Sequence, residues 1–218
     1  MATPYFQLRL DSVPSTQDVA RERFDTLPLL VIASGQTQGR GRSGAEWLTA
    51  DRALAASIAF RPAPEDDRPI SLMAGLAAAR CIPGTLLKWP NDVLRSGLKV
   101  GGILVERIGD LAIVGLGLNL WWSQPADGAG ALHIVDPGAD AHAELGALWG
   151  AELMDLVESQ GWPLDEYRSL CDTLDRSITW MPEGSGVAED IAPDGSLLVT
   201  VGDGRVEQIR SGAVRHVR

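Results

Sequence analysis

Two long apolar runs constrain this chain most: residues 98–107 and 111–120, joined by Ile108-Gly109-Asp110. A connection that short predicts a β-hairpin. Both runs are nearly continuous in apolar residues, so the sheet that holds them must be covered on both faces. Other segments supply the sheet and its cover. Residues 5–10, 29–33, 53–60 and 86–89 read as strands, the last closed by the turn residues Pro90-Asn91-Asp92. Ser15 and Asp18 fit a capping box, which predicts a helix from about Thr16. An alanine-rich helix is predicted over 71–81, stopped by Pro83-Gly84. Leu145, Trp149, Leu153 and Leu156 recur at helical spacing, which predicts an amphipathic helix over 141–160 and, after Gly161-Trp162-Pro163, another over 164–175. Residues 121–140 read as a loop.

The texture changes at Ser177. Short alternating runs are broken at Glu183-Gly184, Pro193-Asp194-Gly195, Gly202-Asp203-Gly204 and Ser211-Gly212, which predicts a small all-β barrel. The fold class is therefore α+β, with a small C-terminal β-barrel. The expected division is residues 1–175 and 176–218. A length of 218 residues suits that plan.

Charge narrows the partners. Residues 1–109 carry 13 basic and 11 acidic side chains, and residues 110–218 carry 6 and 18. The net charges, +2 and −12, sum to −10, which argues against a nucleic-acid-binding protein and against a repressor. No run approaches the roughly 18 apolar residues of a membrane span, and no signal peptide is visible. Cys81 and Cys171 are too few for a disulfide framework and read as thiols of a reducing cytoplasm. Of the 19 basic residues 17 are arginine, and the two lysines, Lys88 and Lys99, lie eleven positions apart. A mobile ammonium used so sparingly directs attention to that segment.

Four segments carry candidate chemistry. The first runs from Gly35 to Trp47 and contains a formal G-x-G-x-x-G at Gly39, Gly41 and Gly44. A dinucleotide turn would need a helix to follow and small residues between the glycines. Here arginines intervene and Trp47-Leu48-Thr49-Ala50 follows, so that reading is rejected. What remains is a flexible loop presenting Arg40 and Arg42, suited to a carboxylate or phosphate, or simply a solvated arginine loop. The second is Lys88-Trp89-Pro90-Asn91-Asp92, where Asn91 and Asp92 either face a pocket or only make the turn. The third is Lys99-Val100-Gly101-Gly102, where the glycines admit a close approach, or Lys99 merely marks a sheet edge. The fourth ends in Asn119, which either reads a ligand or caps a loop.

Together these segments resemble the bacterial biotin protein ligase family. The resemblance rests on Ser15-Thr16, Gln36 through Gly44, Trp47, Lys88-Trp89-Pro90-Asn91-Asp92, Lys99-x-x-Gly102-Ile103-Leu104-Val105-Glu106 and Gly115-x-Gly117-x-Asn119. It covers about residues 10–120, for which it implies a mixed β-sheet flanked by helices, and the β tail is similar to the family's small SH3-like barrel. It implies an enzyme that condenses biotin with ATP to biotinoyl-5′-AMP, with Mg²⁺, and passes biotin to one lysine of a biotin carboxyl carrier protein. By the same resemblance, biotin contacts would come from Ser15, Thr16, Gln17, Gln36, Gly39, Arg40, Gly41, Arg42, Lys99 and Gly102. Nucleotide contacts would come from Arg42, Trp47, Lys88, Asn91, Lys99 and Asn119. Lys99, Arg42 and Arg40 would be the catalytic cations, offsetting the repulsion between two anions, and Asp92 would orient the carrier amine or a metal.

Three departures stand out. Gln17 occupies a position where the family usually has asparagine, Ala45 replaces a common arginine, and residues 121–137 lack a familiar Ala-Thr-Ser-type segment. The resemblance is to a form lacking the N-terminal DNA-binding domain, with a homodimer through a sheet edge as one option. Two rival functions remain at this point. A lipoate or octanoate ligase or transferase would want an Arg-Arg-x-x-Gly-Gly-Gly type loop. A non-catalytic biotin-sensing module would have no need of Arg42, Lys88 and Lys99.

Overall fold

Side-chain alternation decides which helix lies on which face of the main sheet. The computed structural model describes residues 4–181 and 184–217. The chain lays down β1 (Phe6–Val13), α1 (Thr16–Arg23), β2 (Leu29–Gln36), a 3-10 turn (Arg42–Gly44) and β3 (Arg52–Phe60). It continues through α2 (Ile70–Cys81), β4 (Leu86–Lys88), β5 (Asp92–Arg95), β6 (Leu98–Ile108) and β7 (Leu111–Trp121). Two helices follow, α3 (Ala141–Glu158) and α4 (Leu164–Leu170). The chain ends with β8 (Ser177–Trp180), β9 (Gly184–Ile191), β10 (Leu197–Thr200), β11 (Val206–Ile209) and β12 (Val214–His216). Glu183, half of one predicted turn, lies outside the described residues.

The first seven strands form one mixed sheet in the order β1-β2-β3-β7-β6-β5-β4. β1 and β2 run parallel, and the remaining neighbours are antiparallel. The predicted hairpin is β6–β7, at the middle of this sheet. On one face Leu30, Ile32, Leu54, Ile58, Leu116 and Leu118 are buried in the core that α2 and α3 complete. Helix α3 comes unusually close there, since a Cβ on Gly150 would stand 2.5 Å from Leu30. On the other face Leu29, Val31, Ala59 and Ile113 pack under Ala20 of α1. Helix α1 is only eight residues long, so it covers part of that face and leaves the rest for a cavity. The expectation of two covered faces therefore holds for β7 but not for β6, most of whose side chains from Leu104 on are half-buried or exposed.

Three sequence expectations need correction. The turn predicted after β4 is present, but the chain beyond it, not read as a strand, returns as β5, pairing Lys88 with Asp92 and continuing the sheet to β6. The helix predicted over 164–175 stops at Leu170. Beyond it the chain is drawn along β4 instead: Asp172 N–H donates to Leu87 O (2.8 Å) and Trp89 N–H to Thr173 Oγ1 (3.0 Å). The capping box is half-made. Ser15 Oγ accepts from Asp18 N–H, but the Asp18 carboxylate is taken by Arg40 and Arg21.

The last five strands form a second, antiparallel sheet in the order β11-β10-β9-β8-β12. Its apolar residues, Ile178, Ile191, Leu197 and Val199 among them, belong to the same buried cluster as α2 and α3. Trp89, 1% exposed, is one of the bridges, donating from its indole N–H to Gly195 O at 2.9 Å.

Candidate active site

The uncovered part of the sheet becomes a cavity because the side chains there are small. Ser57 and Gly115 stand side by side in one row, bounded by Leu104, and Gly117 and Gly102 stand in the next. The rows floor a cavity of about 380 Å³. Its walls come from the start of α1, the loop after β2, the β4–β5 turn and residues 212–214 of the second sheet's last turn and strand.

One end of the cavity is polar and uncharged. Thr16 lies at its centre: its backbone N–H and its hydroxyl both donate to Gln36 Oε1, at 2.7 and 3.0 Å. Thr16 Oγ1 also lies 2.8 Å from Ser57 Oγ. Gln17 is different. It is 5% exposed, packs on Gly115, and neither its amide nitrogen nor its oxygen has a partner. A buried amide left unsatisfied costs free energy, so this one is built for a partner the protein does not supply.

The other end is cationic. Lys99 Nζ lies 2.6 Å from Asp92 Oδ1, and Lys88 approaches the same carboxylate at 3.9 Å. Arg42 donates to Asn91 Oδ1 (3.1 Å) and to Gly212 O (3.2 Å). Asn91 is itself fixed to Ile103, donating to its carbonyl and accepting from its N–H. The Trp47 ring lies on Gly102 and Gly117, with Lys99 Nζ 5.7 Å from its centre. Two lysines thus share one carboxylate, and Arg42 beside them is held only by neutral oxygens, an arrangement that favours added anions.

Ser15, Thr16, Gln17, Gln36, Arg40, Gly41, Arg42, Trp47, Asn91, Asp92, Lys99 and Gly102 all line the cavity. The other three expected residues stand behind it. Gly39 makes room for Trp47, whose Cβ would be 3.1 Å from a side chain there. Lys88 faces Asp92. Asn119 ties down a loop, its side-chain amide donating to Gly130 O (3.0 Å) while its backbone carbonyl accepts from Leu132 N–H. Two expectations change in detail. The close approach that Gly102 permits is that of Trp47, not only of a ligand. The Arg40 guanidinium is already committed, bidentate to Asp18 at 2.7 and 2.9 Å and 3.6 Å from Glu106. That pairing holds the Asp18 carboxyl below the usual carboxylate range.

Sequence reasoning missed Ser57, Leu104 and the 212–214 wall. Gly115 and Gly117 were part of a motif but had no role; their spacing of two on an apolar strand was the legible signal of a floor. Among the described residues no group of three or more His, Cys, Asp or Glu could hold a metal. Burial pushes the Cys81 thiol up to about 11 and raises that of Cys171, and neither lines the cavity, so no thiol nucleophile is at hand.

Comparison with known proteins agrees with this geometry. Residues 10–119 match the biotin/lipoate A/B protein ligase family. The biotin–[acetyl-CoA-carboxylase] ligase of Mycobacterium tuberculosis is 31% identical over 87% of this chain and 79% of its own length. Its namesake from Paracoccus denitrificans is 39% identical over 50% of this chain and 49% of its own. In fold, the chain is similar to the biotin protein ligase of Aquifex aeolicus in complex with biotin and ATP. The TM-score is 0.84 at 24% identity, over 97% of this chain and 99% of that one.

Proposed function

The chain belongs to the biotin/lipoate A/B protein ligase family, and on that premise we propose that it is an ATP-dependent biotin ligase acting on a biotin carboxyl carrier protein. The observation that carries this reading is the polarity of one cavity, with the unpartnered Gln17 amide at one end and Lys99 and Arg42 at the other. A ureido ring needs donors and an acceptor in a desolvated pocket. Gln17, with Ser15, Thr16 and Gln36 around it, supplies them.

At the cationic end a biotin carboxylate oxygen attacks the α-phosphorus of ATP. The bond to the bridging oxygen breaks, and pyrophosphate leaves with the electron pair. Lys99 and Arg42 offset the repulsion between the two anions and the charge of the transition state. Lys99 exchanges its contact with Asp92 for the ligand. Trp47 and Asn91 line the nucleotide side. Lys88 acts through Asp92, and Asn119 acts through the loop it ties down. In the second step a carrier lysine amine attacks the mixed anhydride carbonyl and AMP leaves. Asp92, released by Lys99, orients the amine. The donor set does not fit a protein-held Mg²⁺, because among the described residues Asp92 has no second and third His, Cys, Asp or Glu grouped with it to complete a site. Mg²⁺ belongs to this reading only as the counter-ion ATP carries.

The test is biotin-dependent exchange of labelled pyrophosphate into ATP, with lipoate and octanoate in parallel. Exchange with biotin alone, lowered at least 100-fold in Lys99→Ala, is the expected result. Exchange with lipoate or octanoate moves the substrate to the sister enzymes. Biotin binding without exchange overturns the enzyme.

A further inference from the structure

The loop over the cavity is held down at three points. Trp47 rests on Gly102 and Gly117. Arg42 reaches Asn91 and Gly212. Arg40 reaches Asp18 and Glu106. The first two anchors are made by residues that also face the ligands. The third is different, because Asp18 and Glu106 do not line the cavity. Asp18 lies in the first turn of α1, one residue after the ligand-facing Ser15-Thr16-Gln17, and Glu106 lies on β6 four residues beyond Gly102. One guanidinium therefore joins the loop to both walls of the uncharged end.

We infer that Asp18 and Glu106 are positioning residues: by holding Arg40 they keep the loop shut over the adenylate and set how long the chain retains it before the carrier arrives. This rests on the adenylation reading above. A mixed anhydride must be kept from water between the two steps, and its lifetime depends on the least stable closure of the site. The Arg40–Asp18 contact has the bidentate form that makes such pairs stronger and more directional than a single hydrogen bond. Both partners are partly exposed, so its effect is modest and adjustable by substitution. Arg40 is accordingly a tie for the loop and not a third cation at the reacting atoms.

The experiment compares formation and retention of the adenylate in the full chain. Pyrophosphate exchange reports formation. Loss of labelled adenylate from the isolated complex, chased with unlabelled biotin and ATP, reports retention. Asp18→Asn is expected to release the adenylate about fivefold faster with unchanged exchange. Asp18→Glu restores retention. Arg21→Ala, which removes the other partner of Asp18, leaves it at the wild-type rate. Glu106→Gln gives a smaller change of the same sign, about twofold, without touching α1. Equal release from wild type and Asp18→Asn overturns the inference, and so does an equal acceleration by Arg21→Ala, which would trace the effect to the helix. Absence of exchange in the wild type is the failure of the adenylation reading instead. In that case trypsin cleavage after Arg40 and Arg42 in the ligand-free chain decides the tie itself. Cleavage about fivefold faster in Asp18→Asn supports it and equal cleavage overturns it.

Discussion

Gln17 carries two donors and a carbonyl oxygen behind 5% exposure, with no partner for any of them. Replacing it by an apolar side chain of similar size removes a desolvation cost from the fold and a set of hydrogen bonds from the ligand. Gln17→Leu is therefore expected to leave the melting temperature unchanged or raise stability by about 1 kcal/mol, while weakening biotin at least ~10-fold. Thermal unfolding and titration calorimetry with biotin read the two effects separately. Lost stability with unchanged affinity would make Gln17 a packing residue. Legibility at this scale was uneven. Residue types with an unusual count or spacing, such as the two lysines and the glycines of the loop, could be picked out from the chain alone. Ser57 could not, because a serine in an apolar strand carries no local mark of what stands opposite it.

Helix α3 illustrates how an element is finished by residues far from it in sequence. Arg68 caps its C-terminal end, donating to Leu156 O (3.3 Å) and Val157 O (2.5 Å) in the last turn and to Ser159 O (2.8 Å) and Gly161 O (2.8 Å) just beyond it. Asp66 holds the guanidinium from the other side, with its carboxyl below the usual range because of Arg68. Arg68→Ala is expected to cost about 3 kcal/mol, measured by urea unfolding. The pH dependence follows in sign. A carboxyl depressed in the folded state stabilises above its unfolded pKa, and that contribution is lost as pH falls through the folded value. The wild type therefore loses the Asp66 contribution below about pH 4, and Asp66→Asn unfolds with a flatter acid limb. Elements themselves were readable where periodicity was long, as in α3 and the β6–β7 hairpin. They were misjudged where a neighbour outbid local preference, as beyond Leu170, where the edge of β4 takes the backbone that a helix would have used.

At the scale of the whole molecule the two sheets share one buried cluster, and the cavity draws on both, through Gly212, Ala213 and Val214. The chain is expected to unfold in a single transition, with far-UV dichroism and tryptophan fluorescence coincident. Trp89→Phe, which deletes the indole bond to Gly195 O, should lower stability by about 1–2 kcal/mol without splitting that transition. Two separated transitions would show that the sheets fold independently. The order of the elements and the strand-rich tail were determined by sequence alone, while the mixed sheet and most of the residues that meet at the cavity were what the family resemblance implied. Periodicity, turn residues and motif spacing are properties of neighbours along the chain. Three things belonged to the tertiary structure. They were the floor of small side chains in register across three strands, the wall lent by the second sheet, and the partners of Arg40 and Arg42. Each is a relation between residues far apart in the chain, 22 positions for Arg40 and Asp18 and 170 for Arg42 and Gly212. Such a relation exists only once strand order and helix placement have been decided by burial of the whole core.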